Sequence, residues 1–462
     1  MVTLRGIGWL AAGLWIWGAS AQAADTGWLA GAASVETTPE GPVWMAGYAG
    51  RKTPSEGVVI PLHAKALALR DGQGQTLLWI TTDIVGFDRA FTDRVTERLQ
   101  KEHGLARESV TLFASHTHTG PILKPIGPAL HNVGIDPDSP ASKNNAAFRK
   151  DLEAKMVRLA GDALGKLQPA NVSYSVGEAG FSMNRREPTT DGFKIGVNPA
   201  GPTDHSVPVL RVTGKDGAVL AVAFGYACHN TTLTGQILKL SGDYAGFAQA
   251  AIEAAHPGAV ALFLTGCGAD SNPSPRGTIE LGRTYGHELA KAVETALSTP
   301  QLTLKGRLAA AYAEPLIPFA GPTDRASYER RLNEPGSMRQ AHARRMLAAF
   351  DAGQPIRATY PYPIQAFALG DQLTLVALAG EVVVDYAIRL RKELASEAHP
   401  LWVSAYANDV FGYVGSTRVI KEGGYEGGDA YYYSTFPAPL SEDVESTIVN
   451  AAHDLIKQVR GQ

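Results

Sequence analysis

Val110-Thr111-Leu112-Phe113-Ala114 runs directly into Ser115-His116-Thr117-His118-Thr119-Gly120-Pro121. The first five residues are apolar or β-branched throughout and read as a strand buried on both faces. The Thr- and Gly-rich segment after them reads as a turn. Working outward, Thr76–Thr82 (TLLWITT) is a second buried strand, and 91–103 between the two has helical spacing in Val95 and Leu99. Downstream, helix signals at 146–167, 244–255, 280–297, 384–395 and 442–459 alternate with strand signals near 172–176, 207–212, 219–227, 259–264, 376–379 and 401–405. Such alternation predicts the α/β class, and hairpin-length links between some strands make the sheet mixed. The expected architecture is a mixed β-sheet core flanked by helices.

The 462 residues are 45% hydrophobic and 19% charged, with a formal net charge of −3. That is apolar enough for a large core and too weakly charged for a disordered chain. Lys and Arg nearly cancel Asp and Glu and form no cluster, which argues against nucleic-acid binding. The 49 Gly and 28 Pro follow no period, excluding collagen-like and repeat architectures. Two cysteines exclude a disulfide-dense scaffold and a four-cysteine zinc site.

At the amino terminus, Arg5 precedes an apolar run from Ile7 to Trp17 and then Ala21-Gln22-Ala23. A positive start, a short apolar run and an A-x-A site make a secretory signal over 1–23, cut after Ala23. The run is well short of the ~20 apolar residues that span a bilayer. The expected product is exported, periplasmic or secreted, without a transmembrane segment. Two stretches look like insertions: 124–144, a loop by its Pro, Gly, Asn and Asp content, and 324–350, with helical spacing and many charges. The second reads either as a solvated amphipathic helix or as a lid beside an active site.

Chemistry concentrates after strand ends. His116 and His118 follow 110–114, Cys228-His229-Asn230 follows 219–227, and Gly380-Glu381 follows 376–379. Tyr406, Asn408, Asp409 and Tyr413 follow 401–405. Ligands in open α/β sheets gather beyond the carboxyl ends of strands, so these segments are candidates for one shared site. Each alone is weak. An H-x-H pair often only caps a turn, His229 could be a satisfied core histidine, and Glu381 suits a helix start.

Together the motifs resemble the neutral ceramidases, zinc amidases that cleave ceramide to sphingosine and fatty acid. Ser115–Pro121 resembles the family's G-T-H-T-H-S-G-P, and Met45-Ala46-Gly47-Tyr48 an early M-G-Y. Asn184-Arg185 is similar to N-R-S-P, Leu240-Ser241-Gly242-Asp243 to I-S-G-D, and Gly268–Pro273 to A-G-D-V-S-P-N. Gly380-Glu381 resembles P-G-E, while Tyr413-Val414 and Tyr425-Glu426-Gly427 resemble Y-V and Y-E-G. The likeness runs in order over residues 28–455. It implies that His116, His229, Glu381 and Tyr413 bind one Zn2+ per chain. It also implies that His118 is the general acid/base and that Arg185 and Tyr425 contact the developing oxyanion or the substrate's polar head. The implied reaction is hydrolysis of an N-acyl lipid, ceramide first. The same site acting on another N-acyl amide, an ester or a lactone is the alternative, and a catalytically silent lipid- or glycan-binding protein is a third reading.

Three departures bear on substrate. Family members carry a carboxyl-terminal immunoglobulin-like domain, whereas 24–462 reads as a single catalytic domain. Arg186-Glu187 replaces the family's serine and adds charge near the proposed head-group contact. The 124–144 loop has no counterpart. The partner is an N-acyl small molecule or lipid, with transient contact at a membrane surface left open. Cys228 and Cys267 read either as a disulfide or as two buried thiols. Asp243, Asp270 and Asn272 read either as supports that orient the zinc histidines or as ordinary turn residues.

Overall fold

The computed structural model describes residues 27–126, 134–321, 323–434 and 436–462, together with Val2. The expected signal segment, Val2 apart, lies outside the described residues. The larger of two main sheets contains β1 (Trp28–Glu36), β2 (His63–Arg70), β3 (Thr76–Thr82), β4 (Val110–Ala114), β5 (Gln168–Glu178), β6 (Ser206–Gly214), β7 (Val219–Tyr226), β8 (Val260–Thr265) and β9 (Leu302–Leu304). Their order is β8-β7-β6-β5-β1-β2-β3-β4, with β9 beside β5. The smaller sheet runs β10 (Leu308–Ala313), β11 (Ile364–Leu369), β12 (Leu373–Leu378), β13 (Leu401–Ser404).

The two sheets pack face to face. Leu67, Leu69, Trp79, Leu210 and Leu262 of the larger sheet share one core with Phe367, Leu369, Leu375 and Trp402 of the smaller. Trp79 sits at its centre, edge-on to Phe113 at 6.4 Å and to Phe367 at 5.9 Å between ring centroids. Helices cover the outer faces. Helices α1 (Arg89–His103) and α2 (Pro140–Gly165) pack on one half of the larger sheet, α3 (Asp243–Ala255) and α4 (Ile279–Ser298) on the other. Beyond the smaller sheet lie α7 (Val384–Leu394) and α8 (Val444–Arg460). This helix–sheet–sheet–helix sandwich explains why every residue of β3 and β4 is buried: neither face meets water.

The same local unit occurs three times: an antiparallel hairpin, then a helix, then a strand parallel to the hairpin's second member. It is built by β2-β3-α1-β4, by β6-β7-α3-β8 and by β11-β12-α7-β13. The closing strands of all three meet. Thr265 Oγ1 donates to Ala114 O (2.8 Å), the Ala405 amide donates to Thr265 O (2.8 Å), and the Ala114 amide donates to Tyr406 O (3.2 Å).

Some expectations change. The 146–167 helix begins earlier, at Pro140, because Ser139 caps it and proline suits its first turn, so the loop before it ends at 139. Segment 324–350 is two helices, α5 (Arg325–Arg331) and α6 (Ser337–Asp351), separated at Gly336 with φ +109°. Cys228 and Cys267 are both buried and both free, so the disulfide reading is overturned.

Candidate metal centre

The sharp turn after β4 places the first histidine. His116 has φ +60°, a left-handed conformation uncommon outside glycine, and so do Tyr406 (+55°) and Asn408 (+60°) after β13. The turn is clamped to the one after β7: Thr117 pairs with Asn230, the His118 amide donates to Asn230 O (3.3 Å), and Asn230 Nδ2 donates to Ser115 O. Glu381 and Tyr413 are registered opposite each other in a short parallel ladder. Gly47 must be glycine, since a Cβ there would lie 2.2 Å from the His118 ring and φ is +89°.

These turns converge. Glu381 Oε2 lies 3.3 Å from His116 Nε2 and 3.2 Å from His229 Nε2, and the Tyr413 phenol oxygen is 3.3 Å from His229 Nε2. His118 Nε2 lies 3.1 Å from His116 Nε2, and the three histidines hold one ring nitrogen each within 4.8 Å of one another. Arg185 donates three ways: Nε to Glu426 (2.7 Å), Nη1 to Asn272 (3.2 Å) and Nη2 to the Tyr413 phenol (2.9 Å). The Tyr425 ring stands edge-on to Tyr413 at 5.2 Å. All seven residues named from sequence are thus brought to one region, and none lies elsewhere.

The donor set fits a cation. His116 Nδ1 is 2.6 Å from Val85 O and His229 Nδ1 is 2.9 Å from Gly268 O. Each Nδ1 therefore carries the proton and each Nε2 presents a lone pair. Burial, then Arg185, pushes His229 down to about 3. Burial, with His116 and His229, holds His118 well below the usual imidazole range. Burial alone would raise the Glu381 carboxyl, but His116 and His229 outweigh it and keep it ionised. The Nε2 atoms of His116 and His229 both face one Glu381 oxygen, at 3.3 and 3.2 Å, so two nitrogens and a carboxylate oxygen turn to a common point that a cation would fill. Burial pushes the Tyr413 phenol up while Arg185 opposes it. Imidazole nitrogen with carboxylate oxygen is a donor set that suits Zn2+.

Two sequence expectations are corrected. Arg186 adds no charge to the site: its side chain is buried, paired with Glu426 (2.9 Å) and Glu422 (3.0 Å) and set over the Phe193 ring. Asp243, Asp270 and Asn272 do not hold the histidines, whose Nδ1 partners are backbone carbonyls. Asp270 instead joins the Val384 amide (3.0 Å) to Asn184 Nδ2 (3.2 Å), tying the Glu381 turn to the short strand that ends just before Arg185. Asn272 accepts from Arg185, and Asp243 accepts from the Leu233 amide. Sequence reasoning also missed Glu426, although it stands directly after Tyr425 in the Y-E-G segment.

Above the donors opens a cavity of about 850 Å³, with His116, Glu381 and Tyr413 in its lining. Trp44, Tyr48, Leu123, Phe411 and Tyr433 give it apolar wall. Helices α5 and α6 stand behind that wall: Arg345 donates to Ser434 O, and His342 Nε2 is 2.7 Å from Phe436 O.

Comparison with known proteins agrees with this architecture. The model of the neutral/alkaline non-lysosomal ceramidase N-terminal domain matches residues 28–272, and the chain belongs to that family. Neutral ceramidase B of Dictyostelium discoideum is 25% identical over 215 residues, 44% of this chain and 28% of that protein. The chain thus matches under a third of that relative's length. Among solved structures, a ceramidase complexed with C2 superposes with a TM-score of 0.72 at 20% identity, covering 95% of this chain and 76% of the other. The neutral ceramidase from Pseudomonas aeruginosa gives 0.71 at 20% identity, covering 95% and 75%. These likenesses establish a shared fold. No helix among the described residues is long and apolar enough to cross a membrane.

Proposed function

We propose that this chain is an exported zinc-dependent amidohydrolase of N-acyl lipids, with ceramide as the leading substrate. Family membership supports a ceramidase-like hydrolase. The observation that carries the metal reading is the meeting of His116, His229, Glu381 and Tyr413 at one buried point. Those four residues would hold one Zn2+, and residues 24–462 would work as one catalytic domain. When bound, the ion supplies Lewis acidity, polarising the scissile carbonyl and acidifying water.

The chain's own residues supply the rest. His118, neutral and beside His116, takes a proton from the attacking water and delivers it to the departing amine. Arg185 is fixed by Glu426, Asn272 and the Tyr413 phenol, which leaves one hydrogen on each Nη free for the oxyanion. With Tyr425 it steadies the oxyanion, a contribution of ~3 kcal/mol per donor in comparable sites. Phe411 and Tyr433 offer apolar contact for an acyl chain.

Metal content of purified protein, paired with hydrolysis of a fluorescent ceramide before and after chelation, tests this. About one zinc per chain with chelator-sensitive cleavage is expected. Zinc without ceramide cleavage moves the substrate to another N-acyl amide, an ester or a lactone. A chain that neither binds zinc nor gains activity from it is not this enzyme.

A further inference from the structure

We propose that the cavity recognises its substrate through a carboxylate, held by Arg51 and Arg276 on the wall beside His118. This rests on the amidohydrolase reading and narrows it to N-acyl amino acids. Four charged residues line the cavity: Arg51, Lys124, Arg276 and Glu381. Glu381, the one acid, is already engaged by His116 and His229. Lys124 is balanced electrostatically by Asp88 and Asp409. Neither arginine forms an ion pair with an acid among the described residues.

Arg51 is only 9% exposed. Its Nη1 is anchored by Ala46 O and His118 O, both at 2.7 Å, and its guanidinium lies over the Tyr48 ring at 4.9 Å. Nε and Nη2 are buried with no hydrogen-bond partner. Those two nitrogens form the side edge of the guanidinium, whose parallel N–H bonds match the two oxygens of a carboxylate. Burial pushes Arg51 down to about 10, opposed only by Tyr48. A buried cation with half its donors unused is costly, and an arriving anion removes that cost. Reaching the edge takes a side-chain shift in this wall, and the Tyr48 hydroxyl has no hydrogen bond to break on moving.

Arg276 is exposed, makes no ion pair or hydrogen bond among the described residues, and acts electrostatically on Tyr48. Tyr48 lies under the Arg51 guanidinium and feels the Arg276 charge, its ring edge-on to His118 at 5.1 Å. The anchor is bonded to the backbone of the residue proposed to protonate the leaving amine. The carboxylate it receives belongs on the amine half of the substrate, close to the scissile nitrogen.

The test compares kcat/KM of the zinc-loaded enzyme on ceramide and on three amides of one dodecanoyl chain: N-acylglycine, its neutral ethanolamine isostere, and the phosphoethanolamine amide. The glycine amide is expected to exceed the ethanolamide by about ten- to a hundredfold, the worth of a charge-assisted pair. R276Q, a surface change, is expected to pull that ratio toward one through KM. R51K keeps the charge without the fork and gives an intermediate ratio, with circular dichroism reporting its folding. An ethanolamide cleaved as well as the glycine amide, or a ratio that neither substitution moves, overturns the inference while leaving the amidohydrolase intact. Preference for the phosphoethanolamine amide overturns the carboxylate. No cleavage of any amide, ceramide included, overturns the amidohydrolase reading itself and the inference with it.

Discussion

Arg185 Nη2 donates to the phenol oxygen of Tyr413 at 2.9 Å, and that oxygen lies 3.3 Å from His229 Nε2. A tyrosine is an uncommon metal ligand because burial favours the neutral phenol, and a guanidinium is the group best able to offset this. Arg185→Lys is therefore expected to weaken zinc binding about ten- to a hundredfold, as loss of such supporting contacts does elsewhere. Competition with a chromogenic chelator measures it; unchanged affinity would place Tyr413 outside the donor set.

In the proposed mechanism His118 moves protons and holds no metal. His118→Gln is expected to lower kcat about 10²- to 10⁴-fold while zinc content stays at the wild-type level. Elemental analysis beside the kinetics decides the matter. If zinc leaves with activity, His118 is a ligand.

Glu426 carries two arginines. Its carboxylate accepts from Arg185 at 2.7 Å and from Arg186 at 2.9 Å, and all three side chains are at most 5% exposed. Glu426→Ala leaves buried Arg185 without its carboxylate and Arg186 with Glu422 alone, and is expected to lower stability by about 3–5 kcal/mol. Urea unfolding measures it. A loss under about 1 kcal/mol would mean that Glu422 or water replaces the carboxylate.

α6 should weaken in acid. Burial pushes His342 down to about 4, and its Nδ1 is buried with no partner, so protonation adds an Nδ1–H that has no acceptor. The unfolded chain titrates near 6.5, so the neutral histidine's stabilisation is complete above that value and declines as pH falls toward 4. The span corresponds to about 3 kcal/mol. Melting curves at pH 7.5 and 5 are expected to differ more for the native protein than for His342→Gln. Equal differences would mean that this histidine does not set the acid response.

Cys228 and Cys267 should be inert. Burial raises both thiols far above their ordinary range, so a thiol reagent is expected to find neither in the native protein and both after unfolding. Labelling before and after denaturant, followed by mass spectrometry, checks this.

The sequence disclosed β3, β4, β7, β8 and β12 because each is an uninterrupted apolar run bounded by turn residues. It hid β2 and β10. His63-Ala64-Lys65-Ala66 breaks the run with a lysine whose charge is met by Glu253 at 2.6 Å, and Leu308-Ala309-Ala310-Ala311 has the composition of a helix. Small side chains fit where layers crowd together, a demand set by tertiary packing that no local window contains. The histidines and Glu381 were visible as polar residues at strand ends. Tyr413 showed only as a polar residue some way after the 401–405 strand, and Arg185, between two short strands outside both main sheets, was singled out by the family resemblance alone.

The proposed donors come from three ββαβ units that pack through a common core and hydrogen-bond to one another at their closing strands. A nascent polypeptide therefore owns an incomplete ligand set until its last unit has emerged and docked. On the proposed ligand set, metal acquisition becomes a late checkpoint of maturation, and a chain stalled before residue 413 has no complete centre in which to trap an ion.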